Sequence, residues 1–104
     1  MPKTNLQIKA KLYKGFSDQS RLAILNTIIN SPKTVSEIVK AVKLSQPNTS
    51  AHLACLLECG LVQKKKNGQE VIYQVSMKEI KDIMALADKI LSNTSKELSR
   101  CVHY

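Results

Sequence analysis

Two helix-start signals lie close together in the middle of this chain and constrain its fold more than any other feature. The first, TVSE at residues 34–37, has the pattern of a capping box. The second, SQP at residues 45–47, combines a serine suited to the N-cap with a proline that the first helical turn tolerates. Only a short helix and a tight connection fit between them. These signals predict a helix-turn-helix motif.

The segments before this motif predict two further helices. Residues 4–14 carry a weak helical stripe that ends at Gly15, and we expect Ser17 to cap a stronger helix. That second helix has apolar residues at helical spacing and ends before Pro32.

The segments after the motif predict a β-hairpin and a last helix. Gly60 is placed to end the second helix of the motif, and residues 61–66 and 69–75 flank Asn67-Gly68, a strong hairpin signal. Residues 77–91 form a wide apolar helical stripe that we expect to pack against a second copy. The order predicts a mainly α fold with a β-hairpin, a winged helix-turn-helix. We expect one domain over residues 1–104, with 92–104 as a tail or as a short helix capped at Thr94.

The charge of the chain indicates a polyanionic partner. Sixteen lysines and arginines against eight aspartates and glutamates give a formal net charge of +8. Three tyrosines, one phenylalanine and no tryptophan are too few for a platform that stacks single-stranded bases. No apolar run reaches the length of a membrane span, and the N-terminus lacks a secretory signal. We therefore predict a cytoplasmic protein that binds double-stranded DNA and no membrane.

Polar residues at the start of the motif's second helix are the candidates for reading DNA. The N-terminal end of such a helix enters the major groove, where Asn and Gln pair with adenine and Ser and Thr suit phosphates. Positions 48, 52, 55 and 59 lie along one stripe that we expect to face outward. The predicted DNA contacts are Gln46, Asn48, Thr49, Ser50 and His52. Capping or solvation is the alternative for each, and His52 also suits a metal.

Basic residues elsewhere suggest contacts with the DNA backbone. Lys64, Lys65 and Lys66 lead into the predicted hairpin turn. A charge run is usually a solvated face, but this one lies on the element that would follow the adjacent backbone. We predict phosphate contacts that are independent of sequence and sensitive to salt. For Arg21 the sequence leaves open a phosphate or an internal carboxylate such as Asp18.

Three cysteines form a second candidate site. Cytosolic thiols stay reduced, and an odd number cannot all pair within one chain. Cys55 and Cys59 are one helical turn apart, so both sulfurs can reach one ion, and Cys101 supplies a third thiolate from the tail. This set suits Cd(II) or Pb(II) as a bound ion, with Zn(II), Hg(II), Cu(I) and As(III) as further options and His103 as an alternative fourth ligand. Packing as small hydrophobes is the competing interpretation.

Several segments resemble one known family. LSQPNTSAHL at 44–53, continued by LLECGLV at 56–62, resembles the recognition-helix signature of ArsR/SmtB repressors, and DQSRLAIL at 18–25 resembles their second-helix signature. The wing ending in VIYQV at 71–75 is also similar, so the match runs from about residue 10 to residue 91. The resemblance implies a homodimer, joined through its first and last helices, that releases operator DNA when an inducer binds.

The resemblance also indicates where an inducer would bind. Members that bind metal on the third helix use a Cys-Val-Cys type motif, which residues 34–40 lack. Members that bind zinc on the last helix use a histidine, and this helix has Asp82 and Asp88 but no histidine. The three cysteines are similar to the ligands of the cadmium- and lead-sensing, CmtR-like branch. In that branch two recognition-helix cysteines join one from the tail of the other subunit.

Two other functions are compatible with the residues. Oxidation or persulfidation of the thiols would make a redox-sensing repressor of the same fold. Inert cysteines would leave a constitutive DNA-binding module. We do not expect an enzyme, because the chain has no nucleophile–base pairing, only three glycines and no Gly-rich phosphate loop.

Overall fold

The computed structural model describes the backbone of residues 4–100 and the side chains of residues 4–94. The elements in chain order are α1 (Asn5–Lys14), α2 (Gln19–Ile28), β1 (Lys33–Thr34), α3 (Val35–Val42), α4 (Gln46–Glu58), β2 (Val62–Asn67), β3 (Glu70–Val75) and α5 (Lys78–Arg100). Helices α3 and α4 with the β2–β3 hairpin make a winged helix-turn-helix, so the predicted fold class is confirmed.

The helix starts follow the capping signals of the sequence, with one correction. Thr34 and Glu37 form the predicted capping box of α3, and the hydroxyl of Ser45 accepts from the N–H of Asn48 at the start of α4. The predicted cap of α2, Ser17, is wrong, because the carboxylate of Asp18 accepts the N–H of Arg21 in its place. Both residue types cap helices well, and Ser17 instead donates its hydroxyl to a carbonyl at the end of α1.

The sheet has three strands where the sequence predicted two. Strand β3 lies in the middle, antiparallel to both β1 and β2. The hairpin turn is one residue later than expected: Asn67 pairs with Glu70, so Gly68 and Gln69 form the loop. Gly68 has φ +68°, a conformation that two-residue hairpin turns require at their first central position and that glycine adopts without strain.

The core lies where α2, α3 and α4 meet the base of the hairpin. Its fully or nearly fully buried apolar residues are Ile24, Leu25, Ile28, Ile38, Leu53, Leu56, Leu61, Val62 and Ile80. The last of these is the only α5 side chain in this set within residues 4–94. The core therefore holds the helix-turn-helix against the wing, and leaves α1 and most of α5 outside.

Helices α1 and α5 expose much of their apolar surface. Helix α1 contains no buried residue, and Leu86 and Ile90 of α5 are 58% and 59% exposed. An apolar groove of about 940 Å³ runs between α5 and the α1–α2 region, with Tyr13, Leu22 and Leu91 in its lining. An amphipathic helix normally buries such a face, so this surface is incomplete in a single chain.

The last helix is longer than the predicted 77–91. It continues to Arg100, with a non-helical residue at Thr94 (φ −129°, ψ 15°), the position predicted to begin a short final helix. Within the described part of the chain, no helix combines the length and apolar character needed to cross a membrane.

Candidate nucleic-acid interface and thiol cleft

The N-terminal turn of α4 presents part of the predicted DNA-reading set to solvent. Gln46, Asn48 and Ser50 are exposed. The backbone N–H of Asn48 donates to the hydroxyl of Ser45 at 3.2 Å. The side-chain carboxamide of Asn48 is not used by this cap and can bind elsewhere. These three side chains have the chemistry and the position to contact base edges or phosphates.

Thr49 has a different place from the one predicted. Its side chain is fully buried, and its hydroxyl donates to the carbonyl of Ser45 at 2.9 Å. It lies on the inner stripe of α4 with Leu53 and Leu56, at helical spacing i, i+4 and i+7. Because the side chain has no path to solvent, we remove Thr49 from the DNA-contacting set.

His52 faces another helix. Its Nδ1 lies 3.9 Å from a carboxylate oxygen of Asp18, with 24% of the histidine side chain exposed. The contact joins α4 to the start of α2. A role for His52 in DNA contact stays a prediction, and the structure adds a competing role in holding α4 against α2.

Arg21 has a structural partner on α1. Its Nε donates to the carbonyl of Gly15 at 3.2 Å and its Nη2 to the carbonyl of Lys14 at 2.8 Å. These carbonyls end α1 and lack helical partners. The sequence left two partners open for Arg21, a phosphate or an internal carboxylate. The structure shows neither: the guanidinium caps the C-terminus of α1.

The wing carries three exposed lysines on β2. Lys64 is opposite Tyr73, Lys65 opposite Ile72 and Lys66 opposite Val71. Because side chains alternate along a strand, Lys64 and Lys66 share one face of the hairpin and Lys65 takes the other. Among the described side chains no carboxylate pairs with any of the three, so their charge is available to a phosphate backbone.

Cys55 and Cys59 share a cleft between α4 and α1. The cleft has a volume of about 400 Å³ and is lined by Ala10, Lys11, Lys14, Cys55, Glu58 and Cys59. Both cysteines are half-buried and free, and they lie one helical turn apart. The predicted stripe therefore leads to an open, basic cleft, although Cys59 also packs against the edge of the core.

The protonation of the cleft follows from its surroundings. Burial raises the pKa of the Cys59 thiol, and the neighbouring Cys55 raises it further because two adjacent thiolates repel each other. Lys11 acts in the opposite direction, since its ammonium favours a thiolate. Cys59 therefore holds its proton at neutral pH until a ligand displaces it.

The rest of the predicted metal set is outside the described residues. Cys101 and the alternative ligand His103 both fall there. Among the side chains that the structure describes, no group of three His, Cys, Asp or Glu residues is arranged to hold a metal ion. The two thiols fit a soft ion by their chemistry and proximity, but they make only part of a typical coordination shell.

Sequence reasoning missed one wall of this cleft. Lys11 and Lys14 come from α1, which the sequence predicted as a weak helical stripe and which the resemblance implied as part of the dimer contact. The Nζ of Lys11 lies 3.9 Å from a carboxylate oxygen of Glu58. No local pattern places α1 against the end of α4, because that contact depends on the corner between α1 and α2.

A winged helix-turn-helix with an exposed polar recognition helix and a basic wing defines a DNA-binding regulator. The family model described as bacterial regulatory protein, arsR family, matches residues 18–64. The probable mercury resistance operon repressor of Streptomyces lividans is 30% identical over 101 residues, which are 97% of this chain and 81% of that protein. This chain belongs to the arsR family. It is a DNA-binding transcriptional regulator and, as predicted, not an enzyme.

Solved structures agree with this fold. The crystal structure of Mycobacterium tuberculosis Rv0081 has a TM-score of 0.84 and 24% identity, and covers 94% of this chain and 99% of its own. The homodimeric winged helix-turn-helix domain of Mb0332 from Mycobacterium bovis has a TM-score of 0.78 and 21% identity, with 98% and 95% covered. At these identities the likeness concerns the fold alone.

Proposed function

We propose that this chain is a transcriptional repressor that binds operator DNA as a homodimer and releases it when a thiophilic metal ion binds to Cys55, Cys59 and Cys101. One observation carries the proposal: a single helix, α4, exposes polar side chains at its front and places two free cysteines in one open cleft at its rear. A rigid helix cannot move at one end without moving at the other.

The dimer is supported by the incomplete surface of the single chain. Helices α1 and α5 expose apolar side chains that a second copy would cover. The related domain from Mycobacterium bovis is homodimeric. Two copies would present two α4 helices to successive major grooves, about 34–36 Å apart. We infer that a ligand in the cleft alters this spacing, because the cleft lies between α4 and α1.

The choice of ion rests on the thiols. Three thiolates suit Cd(II) and Pb(II), and the mercury resistance repressor among the relatives adds Hg(II). Because thiols must lose protons to bind, and burial raises the pKa of Cys59, metal affinity is expected to rise with pH. The coupling is reciprocal: operator DNA weakens metal binding by the factor by which metal weakens DNA binding.

A redox-sensing repressor is the second candidate, favoured by the two free cysteines that line the same cleft one helical turn apart. Its weakness is the same raised pKa, since the thiolate is the reactive form. Under reducing conditions a metal sensor still releases DNA when its ion is added. A redox sensor stays on DNA under the same conditions, because its thiols cannot be oxidised.

The decisive experiment measures release from DNA. An operator duplex is first selected from random DNA with the purified dimer, and affinity is then followed by fluorescence anisotropy with Cd(II), Pb(II), Hg(II), Zn(II) and, as a hard-ion control, Mg(II). We expect at least one thiophilic ion to weaken binding by roughly five- to 150-fold, the usual range of allosteric coupling. An intense ultraviolet sulfur-to-metal band should accompany it.

Variants assign the ligands. Cys55→Ser with Cys59→Ser should bind DNA as the wild type does but lose the metal response, and Cys101→Ser should respond poorly. If no thiophilic ion changes the affinity of the reduced protein, metal sensing is wrong. If only Cys101→Ser behaves as the wild type, the tail is not a ligand.

A second test concerns the wing. Lys64→Gln with Lys66→Gln should lower the slope of log affinity against log salt by about 0.9 for each phosphate that the wing no longer neutralises. The matched control is Lys81→Gln, an exposed lysine on α5, which should keep the wild-type slope. Equal slopes for all three proteins would exclude the wing from the interface.

A further inference from the structure

The turn between α3 and α4 contains an unusual residue. Lys43 has φ 59° and ψ 37°, in the left-handed region, and is the one non-glycine residue with positive φ among the described residues. Its N–H donates to the carbonyl of Val39 at 2.9 Å and closes α3. Glycine is the usual residue at such a helix end, because a Cβ is strained there.

Nothing within the fold compensates for this strain through the side chain of Lys43. The side chain is exposed, and no ion pair among the described side chains includes it. The backbone bond to Val39 would form equally well with glycine. Strained residues that persist without an internal reason are candidates for function.

The position of Lys43 is next to the proposed DNA surface. It lies two residues before Ser45, the N-cap of α4, so a distance of roughly 7 Å or less separates their Cα atoms. In a docked helix-turn-helix the first helix of the motif crosses the DNA backbone. Here that helix is α3, and Lys43 is its C-cap. Lys40, one turn earlier on α3, is exposed as well.

We propose that Lys43 binds a DNA phosphate from the helix-turn-helix turn, and that this contact accounts for a lysine in a conformation that favours glycine. The inference rests on the proposed DNA binding and extends its interface beyond α4 and the wing. It has an unusual consequence: replacing Lys43 by glycine should raise the thermal stability of the protein and lower its affinity for DNA.

The test uses Lys43→Gly, Lys43→Asn and Lys43→Arg in the full chain. Glycine relieves the strain, asparagine tolerates it better than lysine, and arginine keeps both the strain and the charge. The temperature of thermal unfolding should rise by a few degrees for Lys43→Gly. Its affinity for the selected duplex should fall several-fold, with a salt slope lower by about 0.9 for one phosphate, or about 1.8 for two subunits. Lys43→Asn should show the same lowered slope, and Lys43→Arg should keep that of the wild type.

The control is again Lys81→Gln, which should change neither the unfolding temperature nor the affinity for DNA and its salt slope. An unchanged affinity and salt slope for Lys43→Gly and Lys43→Asn would overturn the phosphate contact. A lower unfolding temperature for Lys43→Gly would show that the backbone at Lys43 is not strained. If the wild type itself binds no duplex, the proposed function fails first, and that result is distinct from either of these.

Discussion

Asp18 connects two helices, α2 and α4, through one carboxylate. It caps α2 by accepting the N–H of Arg21 at 3.1 Å, and it lies 3.9 Å from the ring of His52 on α4. The N–H of Arg21 is the largest of the influences that hold the pKa of Asp18 below its usual range, and the positive charges of Arg21 and His52 add to it.

This carboxylate predicts a pH-dependent contribution to stability. Since the folded-state pKa is lowered, the contribution is complete above the unfolded-state pKa, and it is lost as the pH falls through the folded-state pKa. Asp18→Ala should lower the free energy of unfolding by about 1 kcal/mol at pH 7. Urea denaturation at a series of decreasing pH values should show this gap closing in acid.

Asp18→Asn is the matched control, because asparagine caps helices about as well as aspartate without a titrating charge. It should keep most of the stability at pH 7. A gap between Asp18→Ala and the wild type that is constant with pH would show that the ionised carboxylate is not what stabilises α2.

Single residues also show which structural roles could be predicted from the sequence and which could not. Thr34 and Ser45 could be identified as caps because capping is local. Ser17 and Asp18 are adjacent and both suitable, so only the tertiary contacts of Asp18 select it. Thr49 could have been recognised as buried, since it continues the apolar stripe of Leu53 at helical spacing.

At the scale of elements, the corner between α1 and α2 depends on a glycine. A Cβ on Gly15 would lie 2.5 Å from a methyl carbon of Leu61, which is fully buried, and 3.3 Å from the carbonyl of Leu12. The backbone of Gly15 is ordinary right-handed helix (φ −61°), so the requirement for glycine is one of space and not of conformation.

We therefore expect Gly15→Ala to lower the free energy of unfolding by about 1–3 kcal/mol through overpacking. The check is a double-mutant cycle with Leu61→Val, measured by urea denaturation. Shortening Leu61 makes room for the new methyl group, so the double variant should be more stable than the sum of the single changes implies. Strict additivity would contradict the predicted clash.

Elements with a repeating pattern were predictable, and those made by pairing were not. Helices α3 and α4 follow from caps and apolar spacing. Strand β1 has two residues, too few for any periodicity, and it exists only because Lys33 and Thr34 pair with β3. The cleft wall from α1 was missed for the same reason, since it is a contact between distant segments.

The whole molecule is extended for its size. Its radius of gyration is 15.0 Å, against about 13 Å for a compact domain of this length. The difference agrees with two helices that cover little of their own core. The sequence predicted the apolar stripe of the last helix but not the extended shape. Helical spacing indicated that this stripe is wider than one chain can bury, and the resemblance implied a homodimer.

The dimer can be tested on α5. Ile90→Glu places a charge in the exposed apolar surface and should yield a monomer in sedimentation velocity at micromolar concentration. The neighbouring Lys89→Glu, an exposed site on the same turn, should remain a dimer. DNA affinity should fall only in the first. A dimeric Ile90→Glu protein would show that this surface is not the contact between copies.

The absence of any buried residue in α1 has a consequence for measurements on the thiols. Lys11 and Lys14 complete the cleft only while α1 keeps its place, and we expect a second chain to hold it there. If the cleft binds an ion as proposed, dilution below the midpoint of subunit association should therefore weaken the affinity for that ion. The concentration of the regulator in a cell would then set its detection threshold, with scarce copies responding only to higher doses.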